Sequence, residues 1–290
     1  MTRPTLSVAN GFVQLVTHVL AHVRLDQAGN LYDPRYLAWA RPKHSRACRV
    51  ILDQDADLLA QLWAIDSRVD RIHRFGALHD SLASFRKTGN RELEQLSPGE
   101  VADPRLLLEL RGFAAAELLH ASAALLDEEF EVMLAEVRPE QAKARDAVDQ
   151  ALRPLVATIP TLAEQRIELV WALGVHGRVI GPRVLVGTPA SWNRCSPTRQ
   201  AVLAAHEHLV GRSGEHGYLE AEWSALCKLS VLLTGLSAGS PVRSAHASWL
   251  AELNLGPILR AAAARGWIDE LTAKRMERRP ETRARTLAEL

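Results

Sequence analysis

The distribution of apolar positions predicts a chain built mostly of helices. Residues 12–25 fit two templates: Phe12, Leu15, Val16, Val19, Leu20 and Val23 recur at helical spacing, while Val13, Leu15, Val19, Val23 and Leu25 share one side of a strand. The β-branched content and the turn sequence Asp26-Gln27-Ala28-Gly29-Asn30 tilt the reading to a strand and hairpin. From Asp53 a helical stripe of Leu58, Leu59, Leu62, Ile65, Val69 and Ile72 follows an Asp cap. Thr88-Gly89-Asn90 and Leu96-Ser97-Pro98-Gly99 mark loops. Asp103-Pro104 then places a cap and a first-turn proline before an apolar helix expected to reach about Val137. Pro139 opens a further helix carrying Val148, Leu152, Leu155 and Val156, and Thr161 with Glu164 forms a capping box for a helix ending near Gly174.

The pattern changes at Gly174. Residues 174–187 are rich in glycine and β-branched side chains and are followed by Pro189, which reads as a short strand or hairpin. A helix begins after Ser196-Pro197, another runs from Tyr218 to about Leu233, and two or three more follow Gly239-Ser240-Pro241. The expected fold class is therefore mainly α (α+β), a helical protein with a small β-sheet. The boundary falls near Pro154 to Pro160, dividing a mainly helical region 1–157 from a helical region with a short strand, 158–290.

Composition narrows the functional classes. With 47% hydrophobic and 24% charged residues over 290 positions, the chain is an ordinary globule with a real core. A formal charge of +1 gives no general attraction to nucleic acid or to anionic membranes. The C-terminal arginines 275, 278, 279, 283 and 285 are interleaved with Glu277, Glu281 and Glu289 and read as a solvated helix. Cys48, Cys195 and Cys227 are odd in number and widely spaced, which suits free thiols in a reducing cytoplasm. Polar residues, among them Asn10, Gln14, His18 and His22, interrupt the N-terminal apolar stretch. No run reaches the roughly 18 apolar residues needed to span a bilayer. The expectation is a cytoplasmic protein with no membrane or nucleic-acid partner.

Candidate chemistry concentrates in Ala201-Val202-Leu203-Ala204-Ala205-His206-Glu207-His208-Leu209-Val210. On a helix, a His followed at once by a Glu sets a metal ligand beside a water-activating carboxylate, and the second His ligand stands one turn later. Here that later position is Val210. His208 points about 200° around the helix from His206 and does not substitute for it. The motif resembles that of gluzincin-type metallopeptidases, over roughly residues 175 to 235. The resemblance implies zinc bound by His206 and by Glu222 or Glu220 on the next helix, with Glu207 as general base. It also implies an edge strand before the first helix that pairs with substrate backbone.

Val210 departs from that pattern and leaves two protein ligands where catalytic zinc sites have three. A second resemblance is to the peptidase-like, peptide-binding proteins of crocagin biosynthesis, a ribosomal peptide pathway of myxobacteria. It implies a precursor peptide as partner, together with a modifying enzyme. The expected function is a non-catalytic peptide-binding accessory protein without a cofactor, a pseudoenzyme. It would hold an extended segment along Arg183, Val184, Leu185, Val186 and Gly187, beside His206. The alternative is a zinc-dependent hydrolase using His206, Glu207 and a ligand drawn from His208, His216, Glu220 or Glu222. For the strand alone, burial in the core is the plainer reading.

Other signatures are incomplete. Gly211-Arg212-Ser213-Gly214-Glu215 lacks the last glycine of a serine-hydrolase elbow, and no phosphate loop or dinucleotide fingerprint occurs. Cys195 lies 11 residues before His206, a spacing that does not by itself make a nucleophile. Glu117 and His120 have di-metal spacing but no second copy.

Overall fold

The computed structural model describes residues 4–9, 11–22, 34–50, 52–53, 104–173, 177–180, 183–188, 195–213 and 218–290. The helix expected from Asp53 and the loops near residues 89 and 98 lie outside them. Four strands form one mixed sheet: β1 (Thr5–Val8), β2 (Arg166–Val170), β3 (Gly177–Ile180) and β4 (Arg183–Gly187). Their order is β1-β2-β4-β3. β1 and β4 flank β2 in parallel, with Leu6 beside Ile167 and Ile167 beside Val184. β3 turns back antiparallel on β4, Val179 beside Val184, and forms one edge of the sheet.

Both faces of the sheet are covered at its centre, which is why Val184-Leu185-Val186 of β4 reads as a continuous apolar run instead of an alternating one. On one face Ile167, Leu169, Val184 and Val186 join the main core with helix α4 (Pro197–Arg212). On the other, Val170 and Leu185 pack with Ala9 and Val13 under helix α1 (Gly11–His22). Residues 166–170 are thus strand, where the capping-box pattern predicted a helix from 161 to 174. Pro160–Glu164 makes only a 3-10 turn, and Gln165 is extended. Ile167, Leu169 and Val170, buried on the two faces, gain more in the sheet than local helix signals supply.

The reverse correction applies to residues 12–25, read from their β-branched content as a strand. Residues 11–22 are helix α1. Val13, Gln14, Leu15, Thr17, His18, Ala21 and His22 are all buried, so tertiary packing overrides strand propensity there. Gln14 fixes the helix to the sheet end: its amide donates to the Leu169 carbonyl and accepts from the Trp171 N–H. The predicted turn after residue 25 lies outside the described residues.

Helix α2 (Pro34–Ala40) precedes a 3-10 turn at Arg41–Lys43. Helix α3 (Pro104–Thr158) runs through Pro139 and Pro154, where a break after Val137 was expected. Each internal proline costs about 3 kcal/mol. The buried stripe Phe130, Met133, Leu134, Val137, Ala144, Val148, Leu152 and Leu155 continues across Pro139 and offsets it at about 1.5–3 kcal/mol per large apolar side chain. Helices α5 (Tyr218–Leu233), α6 (Pro241–Glu252), α7 (Gly256–Ala264), α8 (Glu270–Arg278) and α9 (Arg283–Glu289) close the structure. The mainly α fold with a small sheet is as expected.

The expected division at residue 157 does not separate the described parts. β1 pairs with β2 across it, and Val148, Leu152 and Leu155 share one core with Leu226, Leu250 and Leu287. No helix among the described residues is long and apolar enough to cross a membrane.

Candidate functional site

Ser196 caps α4 by accepting from the Arg199 N–H, and Pro197 occupies the first turn, as the sequence predicts. Residues 200–208 of this helix are buried. Two glycines allow α4 to approach the sheet edge closely. A Cβ on Gly177 would lie 2.8 Å from Glu207 Cγ, and one on Gly211 would lie 2.7 Å from Val179 Cγ2.

His206 is 1% exposed and meets Trp249 edge-on, ring centroids 4.9 Å apart. Its two ring nitrogens face different carboxylates. Nδ1 is 3.5 Å from Glu207 Oε1, and Nε2 is 3.4 Å from Glu222 Oε1 on α5. These contacts are ion pairs and not aligned hydrogen bonds, since neither nitrogen has a hydrogen-bond partner among the described residues. The other Glu207 oxygen accepts from the Val179 N–H of β3 at 3.0 Å. Glu207 therefore links the helix to the edge strand.

Burial favours neutral His206, but Glu222 and Glu207 outweigh it and hold the imidazole above its usual range. Burial likewise raises the Glu222 carboxyl, which His206 pulls back only in part. The pair together keeps its proton to higher pH than either group alone. Burial, reinforced by the His206 charge, lowers neighbouring His246 to about 4.

The structure thus unites His206, Glu207 and Glu222, three residues singled out from sequence, but on opposite sides of one ring. An ion on Nε2 would have His206 and Glu222 as ligands, while Glu207 faces Nδ1. Val210 stands at the next turn, and among the described residues no third side-chain donor joins the pair. Glu222, not Glu220, makes the contact. His208 points away and shares a 2.9 Å hydrogen bond with Thr161 Oγ1. His216 lies outside the described residues.

The expected peptide-pairing strand requires correction. Arg183, Val184, Leu185, Val186 and Gly187 form β4, hydrogen-bonded to β2 on one side and β3 on the other, and all five are buried. No backbone edge is available there. Arg183 instead faces buried Glu168 at 3.8 Å, on the same carboxylate that Arg166 meets at 2.6 Å. The antiparallel edge strand is β3, the first arm of the hairpin.

Sequence reasoning missed a second cluster: His18, His22 and His44 each bring one potential ligand atom within 4.8 Å of the others. The available signal was the four-residue spacing of His18 and His22, which places both on one helix face. Reading that segment as a strand concealed it. No family model, curated protein or solved structure matches the chain.

Proposed function

We propose that this chain is a non-catalytic, peptide-binding accessory protein on a metallopeptidase-like frame, and that an extended peptide lies along the outer edge of β3, not along β4. One observation carries the reading. The Val179 N–H at that edge is bonded to a side-chain carboxylate and not to a neighbouring strand. Among the described residues no strand pairs with β3 on its outer side. A peptide carbonyl that displaces Glu207 from Val179 extends the sheet by strand addition, the usual way a free edge recognises a peptide. The freed Glu207 carboxylate then remains beside the peptide. A ribosomal precursor peptide in the cytoplasm, presented to a modifying enzyme, fits this mode, and the three free cysteines suit that compartment.

The test uses fluorescence polarisation with labelled peptides encoded beside the gene. Val179→Pro removes the outward N–H without removing a bond to β4, because that N–H is already turned away from it. Saturable binding that is lost in Val179→Pro, with unchanged circular dichroism, is the expected result. Failure of every peptide to bind, or binding indifferent to this change, refutes the reading.

A second reading, a zinc-dependent hydrolase using His206, Glu207 and Glu222, draws support from the 3.4 Å approach of Glu222 to His206. It predicts near-stoichiometric zinc that His206→Ala releases. Zinc that stays bound after that change counts against it.

A further inference from the structure

Three histidines from two segments outside α4 meet in the N-terminal part of the structure. His18 and His22 stand one turn apart on α1, and His44 follows the 3-10 turn after α2. Their exposures are 0%, 5% and 3%, so water does not solvate the rings. The arrangement of their outer nitrogens is informative. His44 Nδ1 is 2.9 Å from Glu129 Oε2, His22 Nδ1 is 2.8 Å from the His18 carbonyl, and His18 Nδ1 is 2.6 Å from the Tyr36 hydroxyl.

Carbonyls and carboxylates only accept, so His22 and His44 carry their protons on Nδ1 and turn bare Nε2 lone pairs inward. His18 Nε2 lies 2.9 Å from His44 Nε2, and His22 Nε2 is buried with no hydrogen-bond partner among the described residues. One proton on His18 Nε2 satisfies His44 but leaves His22 unpaired. A single cation at the centre satisfies all three, with the His18 ring proton on Nδ1, donated to the Tyr36 oxygen.

We propose that His18, His22 and His44 bind one divalent transition-metal ion of the zinc class. Three imidazole nitrogens suit such an ion, and each ligand has the outer hydrogen-bond partner that orients metal-bound histidine. Tetrahedral coordination at Zn–N distances of about 2.1 Å sets ligand atoms about 3.4 Å apart. The 2.9 Å pair opens slightly to reach this spacing, and the widest separation, at most 4.8 Å, closes by roughly 1.4 Å. A water completes the fourth position. Phe130 of α3 stacks on His18 at 4.6 Å and Glu129 of α3 orients His44, so the ion ties α1, the His44 segment and α3 together.

The site is independent of the peptide reading and of His206. The test takes the full-length untagged chain, stripped with chelator, and titrates it with Zn²⁺ alone and with Co²⁺ alone. The expected result is saturable uptake of about one ion per chain, with the intense visible absorption of four-coordinate cobalt. Uptake persists in His206→Ala and is lost in His22→Gln, while Glu129→Gln weakens it by about 10–100-fold. Because changes in a buried cluster also perturb folding, thermal unfolding of the unmodified chain gives a variant-free readout. Its Tm rises with added Zn²⁺ and returns to the stripped value with chelator. No saturable uptake, uptake undiminished in His22→Gln, a zinc-indifferent Tm, or an ion lost from His206→Ala but kept by His22→Gln overturns the proposal.

Discussion

Replacing His206 with alanine tests how the α4 site is held together. The side chains involved are 1%, 11% and 13% exposed for His206, Glu207 and Glu222, so the ring is an interior cation between two nearly interior carboxylates. At separations of 3.4 and 3.5 Å, an effective dielectric of about 20 gives each contact about 5 kcal/mol of attraction. Desolvation of the three groups, several kcal/mol per ion, consumes most of that. The net worth of the triad is therefore small, but the cost of breaking it is not. His206→Ala leaves Glu222 buried opposite a cavity beside Trp249, and loss of one partner from a buried pair costs about 3–5 kcal/mol. Glu222 retains attraction from Arg178 and some solvent, which places the expectation at the lower end, about 3 kcal/mol. His206→Leu with Glu222→Leu removes both charges and fills the space, and is expected to cost under about 1.5 kcal/mol. Urea unfolding with an unchanged m-value measures all variants. If the double variant costs the sum of its single changes, or if His206→Ala costs below about 1 kcal/mol, the triad argument is refuted.

Further perturbations have equally definite outcomes. Gly177→Ala forces its Cβ to within 2.8 Å of Glu207 Cγ and 3.2 Å of the Leu185 carbonyl, so it is expected to cost about 1–3 kcal/mol and to weaken peptide binding at β3, read by urea titration and polarisation. Arg283 donates to the carbonyls of Leu250, Leu253 and Met276, and Arg283→Met strips buried acceptors at the end of α6; thermal unfolding is expected to show a loss of about 2–4 kcal/mol. The His206 shift is upward, so its stabilising contribution is full below about pH 6.5 and is lost as pH rises through its raised folded-state value; the Glu222 shift, also upward because of burial, adds a contribution that is full only below about pH 4.5. Unfolding midpoints across neutral pH should fall in wild type and less so in His206→Gln. Burial raises the Glu129 carboxyl, but its bonds to Ser45, His44 and Cys48 prevail and hold it at about 2. Stability on the order of 1 kcal/mol, reduced by solvent screening, is thus present above about pH 4.5 and lost toward pH 2; Glu129→Gln removes that acid-side slope.

Local signals in the sequence were reliable where one physical cause dominated. Ser196-Pro197 placed the start of α4, Tyr218 to Leu233 matched α5 at both ends, and the glycine-rich, β-branched stretch marked the β3–β4 hairpin. They failed where burial reversed local preference. Ile167, Leu169 and Val170 carry helix-like flanks but lie between two helical layers, and α1 is buried around so much of its circumference that no single stripe identifies it. The order of strands was not legible, because nothing in Arg183 to Gly187 distinguishes a central strand from an edge. The partner β2 comes from a segment whose pattern matched a helix, so the strand that encloses β4 was absent from the sequence reading. Glu222 meeting His206 was legible through the resemblance; that Glu207 would bond to Val179 instead of facing the same ion was not.

The two histidine clusters respond to one geometric rule in opposite ways. A second imidazole four residues along a helix shares the face of the first. At His206 that place holds Val210, and the ring finds Glu207 and Glu222 on its two nitrogens, so negative charge surrounds it and favours a proton on the ring. At His18 the place holds His22, and the carboxylate of Glu129 is one shell farther out, behind His44. Lone pairs then converge on lone pairs, and one ring proton serves only one of the two facing nitrogens. The first site carries its compensating charge within the protein, whereas the second has bare donors and no positive centre of its own. A cation supplied from outside is the physical complement of the second site.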